Sequence, residues 1–203
     1  MALNLFGVTV NDAHVAQVSM PGTETVVVRE LAAICGETEF RAVEHDDATA
    51  QRYHAIVSMY ATRAPVLPAP VGVVFRSNES VQRWVELHYG ALADAISFVQ
   101  NRVAGRVHVT RRGPDEERQA GLDVVAIAEE SVRVLRASAA AALPLRIEKQ
   151  TSALLSTAFL VEQDVWKTFV AEVEAQAKLA PGVRFELTGP WPPYDFVQMQ
   201  LGA

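Results

Sequence analysis

Apolar and polar positions along the chain repeat with two different periods, and the change of period marks the elements. Leu3–Val10 alternates loosely and stops at the turn pair Asn11-Asp12, which predicts a first strand. Val15–Met20 and Thr23–Val28 are predicted as further strands, separated by Pro21-Gly22. At Tyr53 the period lengthens. Tyr53, Ile56, Val57 and Tyr60 fall at i, i+3, i+4 and i+7, one apolar stripe of a helix that Asp46 or Asp47 can cap. The run APVLPAP ends that helix. Val71–Phe75 is short, β-branched and bounded by Pro70 and Arg76-Ser77, so it is predicted as a buried strand. Ser77 or Asn78 then caps a long helix with Val81, Trp84, Val85, His88, Leu92, Ile96, Val99 and Val103 on its inner face, ended by Gly105.

A second unit is predicted from residue 106. Arg106–Thr110 alternates, and RRGPDEERQAG is a charged loop. Val125, Ala128, Val132, Leu135, Ala139 and Ala142 step by three and four, which predicts a helix over 122–142. Leu143, Leu145 and Ile147 alternate with Arg146 and Glu148, a strand with one wet face. Leu154–Val161 is a more apolar strand. Asp164 caps a helix that turns Trp166, Phe169, Val170, Val173 and Ala177 inward. After Pro181-Gly182, Val183, Phe185 and Leu187 alternate with Arg184, Glu186 and Thr188. The order βαββαβ is the ferredoxin-like pattern. The predicted class is α+β, with an N-terminal α+β domain over 1–105 and a C-terminal ferredoxin-like domain over 106–203.

Composition narrows the picture. With 203 residues, half of them hydrophobic, the chain can bury one large core or two small ones. A net charge of −6 gives no basic footprint for nucleic acid. No run approaches the roughly 18 apolar residues of a membrane span, and MALNLFGVTV reads as a strand rather than a signal peptide. Cys35, the single cysteine, lies in the apolar string AAICGE and is expected to be a buried inert thiol. These features together predict a cytoplasmic protein.

Candidate chemistry is sparse. No GxGxxG, Walker A, HExxH or GxSxG string occurs, which argues against an enzyme. The acidic string EHDD at 44–47 with His54 is the best metal candidate, but only Asp47 and His54 share a helix face, and two ligands make a poor site. No metal or cofactor is therefore expected. His88 on the apolar stripe reads as a half-buried, satisfied histidine. Glu129-Glu130 diverge by about 100° on a helix and read as a solvated face.

The string LTGPWPPYDFV at 187–197 concentrates three prolines, a glycine and three aromatics. Pro190 is expected to stop strand pairing on at least one side. Residues before proline are held extended, so the segment is stiff and fixing Trp191, Tyr194 and Phe196 costs little entropy. Two uses follow. Either the segment folds back as a plug on the core edge, or it is an anchor for a partner. The plug is preferred, with Trp191 buried against the C-terminal domain and Tyr194 near the surface.

The same string closely resembles the C-terminal signature of the gas vesicle protein L/F family (GvpL/GvpF). LPAPVGVVF at 67–75 resembles the family's LPxxxGxVF strand through Leu67, Pro68, Gly72, Val74 and Phe75. The helix carrying Trp84 and STAFLVEQDVWKTFVAEV at 156–173 are also similar. Pro70, Val73 and Asp195 stand where the family usually has arginine, threonine and serine, and the segment 111–121 is short. The resemblance implies a two-domain α+β protein with a ferredoxin-like C-terminal domain. It further implies a non-enzymatic, gas vesicle-associated role as a minor structural component or assembly factor. The implied partners are the small hydrophobic shell protein and other gas vesicle accessory proteins. Gly189, Pro190, Trp191, Pro192, Pro193, Tyr194, Phe196, Leu67, Pro68, Gly72 and Phe75 become the candidate motif and partner-binding residues. Read without the resemblance, a ferredoxin-like unit favours a small-molecule-binding regulatory module.

Overall fold

A computed structural model describes residues 1–18, 20–41, 43, 45–113, 123–147, 153–180 and 182–199. The chain divides into two compact units. The first is Met1–Gln100 together with the segment that begins at Pro192; the second is Asn101–Trp191. The terminal segment therefore groups with the first unit, not with the second as the sequence predicts.

In the first unit, β1 (Ala2–Val10) pairs antiparallel with β3 (Leu31–Thr38) on one side and with β4 (Val66–Pro68) and β5 (Val74–Phe75) on the other. β2 (Glu24–Val28) closes the order β2-β3-β1-β4. Both sheet faces are covered. Tyr53, Ile56, Val57 and Tyr60 of α2 (Asp47–Ala61) pack with Phe6 and Ile34 on one face. Val81, Trp84 and Val85 of α3 (Asn78–Leu87) and Leu92, Ile96 and Val99 of α4 (Tyr89–Val99) pack with Leu3, Leu5, Val8 and Cys35 on the other. One extra residue in β1 between Leu5 and Gly7 shifts the register, which turns Phe6 toward α2 while Leu5 and Val8 both face α3 and α4.

Several sequence expectations change here. Val15–Met20 is not a strand: Asp12 accepts from the amides of His14 and Val15 and caps α1 (Ala13–Ala16). The expected buried strand Val71–Phe75 shrinks to two half-buried residues, with Val71-Gly72 in a turn and Gly72 at φ 89°. The long helix breaks at His88, whose ring N–H donates to the Trp84 carbonyl at 2.8 Å. It ends at Val99, because Asn101 takes a left-handed φ of 59° and turns the chain into the next strand. Gly105 is therefore a strand residue, not a helix stop.

The second unit runs β6 (Arg102–Arg111), α5 (Val124–Arg136), β7 (Ala141–Pro144), β8 (Ala153–Glu162), α6 (Trp166–Leu179) and β9 (Val183–Trp191), with a sheet in the order β7-β8-β6-β9. All its strand pairs are antiparallel. Val107, Val109, Phe159, Val161 and Val183 pack with Val124, Ala128, Val132 and Leu135 of α5 and Phe169 and Val173 of α6. α5 is shorter than predicted. Val125 faces out, Val124 faces in, and Ala142 and Leu143 belong to β7. Asp164 sits in a 3-10 turn and makes no cap bond to α6. Arg146, Arg184 and Glu186 are exposed and Arg106 and His108 half-buried, whereas Glu148 and most of the charged 111–121 loop lie outside the described residues.

Candidate functional site

The candidate residues separate into two places, one in each unit. In the first unit, Leu67 and Pro68 are buried in β4, and Phe75 in β5 lies 5.7 Å from Trp84, ring centre to ring centre. Leu67 belongs to the core cluster on the α3 and α4 face, and Val73, Phe75, Val197 and Met199 pack against it. The two motifs thus share one cluster. Tyr194 packs against the other cluster, on the α2 face. The segment Tyr194–Met199 therefore touches both faces of the same sheet, and acts as a strap on the first unit.

His54 holds the strap. The Tyr194 hydroxyl hydrogen-bonds His54 Nδ1 at 2.9 Å, and the two rings lie 5.9 Å apart. Tyr53 lies 6.3 Å from Tyr194, and its hydroxyl donates to the Ala69 carbonyl, just beyond the Leu67-Pro68 strand. Sequence reasoning treats His54 as an ordinary helix histidine. Its partner lies 140 residues away, and no local spacing announces that contact. Pro192 and Pro193 are buried, while Phe196 and Asp195 are half-buried. Asp46 caps α2 by accepting from Thr49 N. Among the described residues, no group of three or more His, Cys, Asp or Glu side chains is placed to hold a metal ion.

In the second unit, β9 does not end at the glycine-proline pair. Thr188 pairs with Arg106 and Trp191 with Ala104, so Gly189 and Pro190 together face Gly105 alone. Two residues against one is a β-bulge, and an edge strand tolerates the missing proline N–H there. A side chain at Gly105 would meet Trp166 Cη2 at 2.6 Å, and one at Gly189 would meet it at 3.1 Å. The two glycines form a slot for the Trp166 ring, which stacks on Phe169 at 5.9 Å. Trp191, expected to be buried, is 37% exposed, and Tyr194, expected near the surface, is half-buried. The reason is the bulge. It lets the strand continue, so Trp191 stays at a sheet edge and the fold-back begins only at Pro192.

Three titratable groups of the first unit are pushed up by burial. Cys35 is raised to about 12, and Tyr194 to about 12 with the Ser58 hydroxyl acting in the opposite sense. Tyr53 is raised further, with neighbouring Tyr194 adding to burial. Each is favoured neutral in the folded state, so its contribution is intact below the unfolded value and falls as pH rises toward the folded one. Stability is expected to decline from about pH 9 upward, with the first unit opening before the second. Ultraviolet absorbance of tyrosinate, followed with Cys35 thiol labelling, checks this. Labelling of Cys35 in the fully folded protein would overturn it.

A cleft of about 140 Å³ lined by Asn4, Phe6, Thr38, Arg52, Tyr53 and Val71 also lies in the first unit. Ligand sites run to roughly 300–1,000 Å³. The cleft is smaller than that range.

The chain is similar to known proteins over most of its length. The family model described as gas vesicle synthesis protein GvpL/GvpF matches residues 4–150 and 125–198. Gas vesicle protein F2 of Halobacterium salinarum is 27% identical over 184 residues, covering 88% of this chain and 82% of that protein. The crystal structure of GvpF from Anabaena sp. PCC7120 superposes with a TM-score of 0.81 at 14% identity, covering 98% of this chain and 99% of that one. GvpF from Microcystis aeruginosa gives 0.75, with the same identity and coverage. The mixed helix-and-sheet fold with two antiparallel sheets is thus that of solved GvpF structures.

Proposed function

Because this chain belongs to the gas vesicle synthesis protein GvpL/GvpF family, we propose that it is a non-enzymatic accessory protein of gas vesicle formation, cytoplasmic and vesicle-associated. It serves as a minor structural component or assembly factor that binds the hydrophobic shell protein and meets other accessory proteins. No helix among the described residues is long and apolar enough to cross a membrane. We read the second unit as a ferredoxin-like domain, on its βαββαβ order and its β7-β8-β6-β9 sheet.

The observation that carries the docking reading is the β2 edge, which has no second strand partner among the described residues. Tyr194, Val197 and Met199 are used within the first unit, so the terminal motif acts as a strap rather than a hook. β2 pairs only with β3 among the described residues, and its sequence ETVVV leaves Val27 45% exposed. An apolar edge of this kind accepts an extended hydrophobic partner by adding a strand. Of the motif residues, Trp191 retains the surface for a second contact; Leu67, Pro68, Gly72, Phe75, Pro192, Pro193 and Phe196 serve to build the first unit.

Co-expression with the shell protein tests this. Wild type, Val27→Lys and Trp191→Ala are compared for capture of soluble shell protein, with circular dichroism as the folding control. The expected result is capture by wild type and about tenfold less by folded Val27→Lys, since a charge on the edge opposes an apolar strand. Loss only in Trp191→Ala moves the contact to the end of β9. Capture by no folded variant, wild type included, removes the shell protein as the partner.

A further inference from the structure

The open edge of the second sheet carries a self-complementary pattern. β9 is an edge strand and pairs only with β6 among the described residues. Its exposed side alternates in charge, with Arg184 and Glu186 both exposed. Its other side presents Val183, Phe185 and Leu187. Val183 is buried, but Phe185 and Leu187 remain half-buried at the rim of the core cluster.

Antiparallel pairing of this strand with an identical one, about a two-fold axis through Phe185, has a single consistent register. Arg184 then lies opposite Glu186 of the second copy, and Glu186 opposite its Arg184. Val183 lies opposite Leu187, and Phe185 opposite itself. Directly opposed residues on antiparallel strands interact most strongly, and opposite charges there are favourable while like charges are not. The two ion pairs share one face and the apolar pairs share the other, so one register satisfies both at once. The pairing covers the open rim of Phe185 and Leu187. The bulge at Gly189-Pro190 fixes its length, because the flat ladder ends at Thr188. The other edges lack this pattern. β7 has four residues and ends in Pro144, and ETVVV in β2 has no charge pair to set a register.

We propose that β9 is a homodimerisation edge, on which a second copy of this chain adds its own β9 to join two four-stranded sheets into one of eight. The symmetry is isologous, the commonest closed form. Five to seven residues per strand bury less than a standard interface, so the dimer is weak and reversible. The proposal is independent of the shell-protein reading, which uses β2.

Sedimentation equilibrium of the full chain between about 1 and 500 µM tests it, a range suited to weak association. The expected result is a reversible monomer-dimer equilibrium. Arg184→Glu places glutamate opposite glutamate at both pairs, and Glu186→Arg places arginine opposite arginine. Each is expected to weaken the dimer about tenfold or more. The double variant Arg184→Glu/Glu186→Arg restores complementarity and should recover dimerisation. Mixing the two single variants should produce a heterodimer, since one carries only basic and the other only acidic residues at these positions. Should a variant not fold, amide exchange of wild-type β9 at low and high concentration reads the same contact without mutation. A monomer throughout the range overturns the proposal. So does a dimer that neither reversal weakens, or β9 exchange that does not slow with concentration.

Discussion

Replacing Gly189 with alanine is expected to destabilise the second unit by about 3–5 kcal/mol, combining a forbidden backbone angle with overpacking. Gly189 sits at φ 132°, a conformation that L side chains rarely adopt. Its Cβ would also stand 2.8 Å from the Ala104 carbonyl oxygen, 3.1 Å from Trp166 Cη2 and 3.2 Å from Gly105 Cα. None of these neighbours yields readily. Ala104 and Gly105 lie in β6, a central strand paired on both sides, and the Trp166 ring is stacked on Phe169. Urea unfolding followed by circular dichroism measures the loss. Gly90→Ala is the matched control, because a Cβ there meets nothing within 4 Å. That variant should hold or gain about 0.5–1 kcal/mol, as helical alanine replaces glycine. A Gly189→Ala protein within about 1 kcal/mol of wild type would show that the bulge relaxes and that the glycine slot is not needed.

This slot also shows where sequence reading reaches its limit. The string GPWPP announces a stiff, special segment, and its resemblance to a family signature survives. The string does not announce that Gly189 and Gly105, 84 positions apart by number, clasp the same tryptophan. Periodicity worked where one face is wet or one stripe is apolar. α2 is capped at Asp46 and buries Tyr53, Ile56, Val57 and Tyr60 as the spacing requires. It failed for β3, where Leu31–Gly36 are all buried between helices on both faces and no alternation remains. Periodicity reads β4 as a helix stop, because its proline content hides a three-residue edge strand, and only the family resemblance places Leu67 and Pro68 in a strand. Gly105 looked like a helix end, because the real reversal lies at Asn101, a residue able to take positive φ without being glycine.

The same limit applies to the terminal segment, which groups with the first unit. Sequence order suggested that a segment following β9 packs on the domain containing β9. The hydrophobic contacts instead take Tyr194 to one face of the first unit's sheet and Val197 and Met199 to the other. The second unit is therefore an insertion between β1–α4 and the strap, joined to the first by two chain crossings, at Gln100-Asn101 and at Trp191-Pro192. The segment that closes the first unit is synthesised after the second unit, so the first can complete its core only once the second has been made.

Ending the chain after Trp191 is accordingly expected to weaken the first unit, and not the second, by about 2–4 kcal/mol. Three largely apolar side chains, Tyr194, Val197 and Met199, leave the two clusters, each worth about 1–2 kcal/mol when partly buried. Freeing eight ordered residues from the fold returns conformational entropy, which keeps the net below the sum of the contacts. The His54 ring and the Tyr53 ring each lose one contact as well. Amide exchange resolves the location. Protection should fall in α2, β4 and β5, while β6 and β8 keep theirs, because Tyr194, Val197 and Met199 pack on first-unit clusters. Tyr194→Phe separates the hydroxyl from the ring. It removes the hydroxyl's bond to His54 and its interaction with Ser58, and should cost about 0.5–1.5 kcal/mol, the ordinary net worth of a hydrogen bond. If truncation instead strips protection from β6–β9 and leaves α2 intact, the strap belongs energetically to the second unit and the division at Trp191-Pro192 is wrong. If it changes neither, the motif's aromatics are not structural, and their place in the family signature must come from partner binding alone.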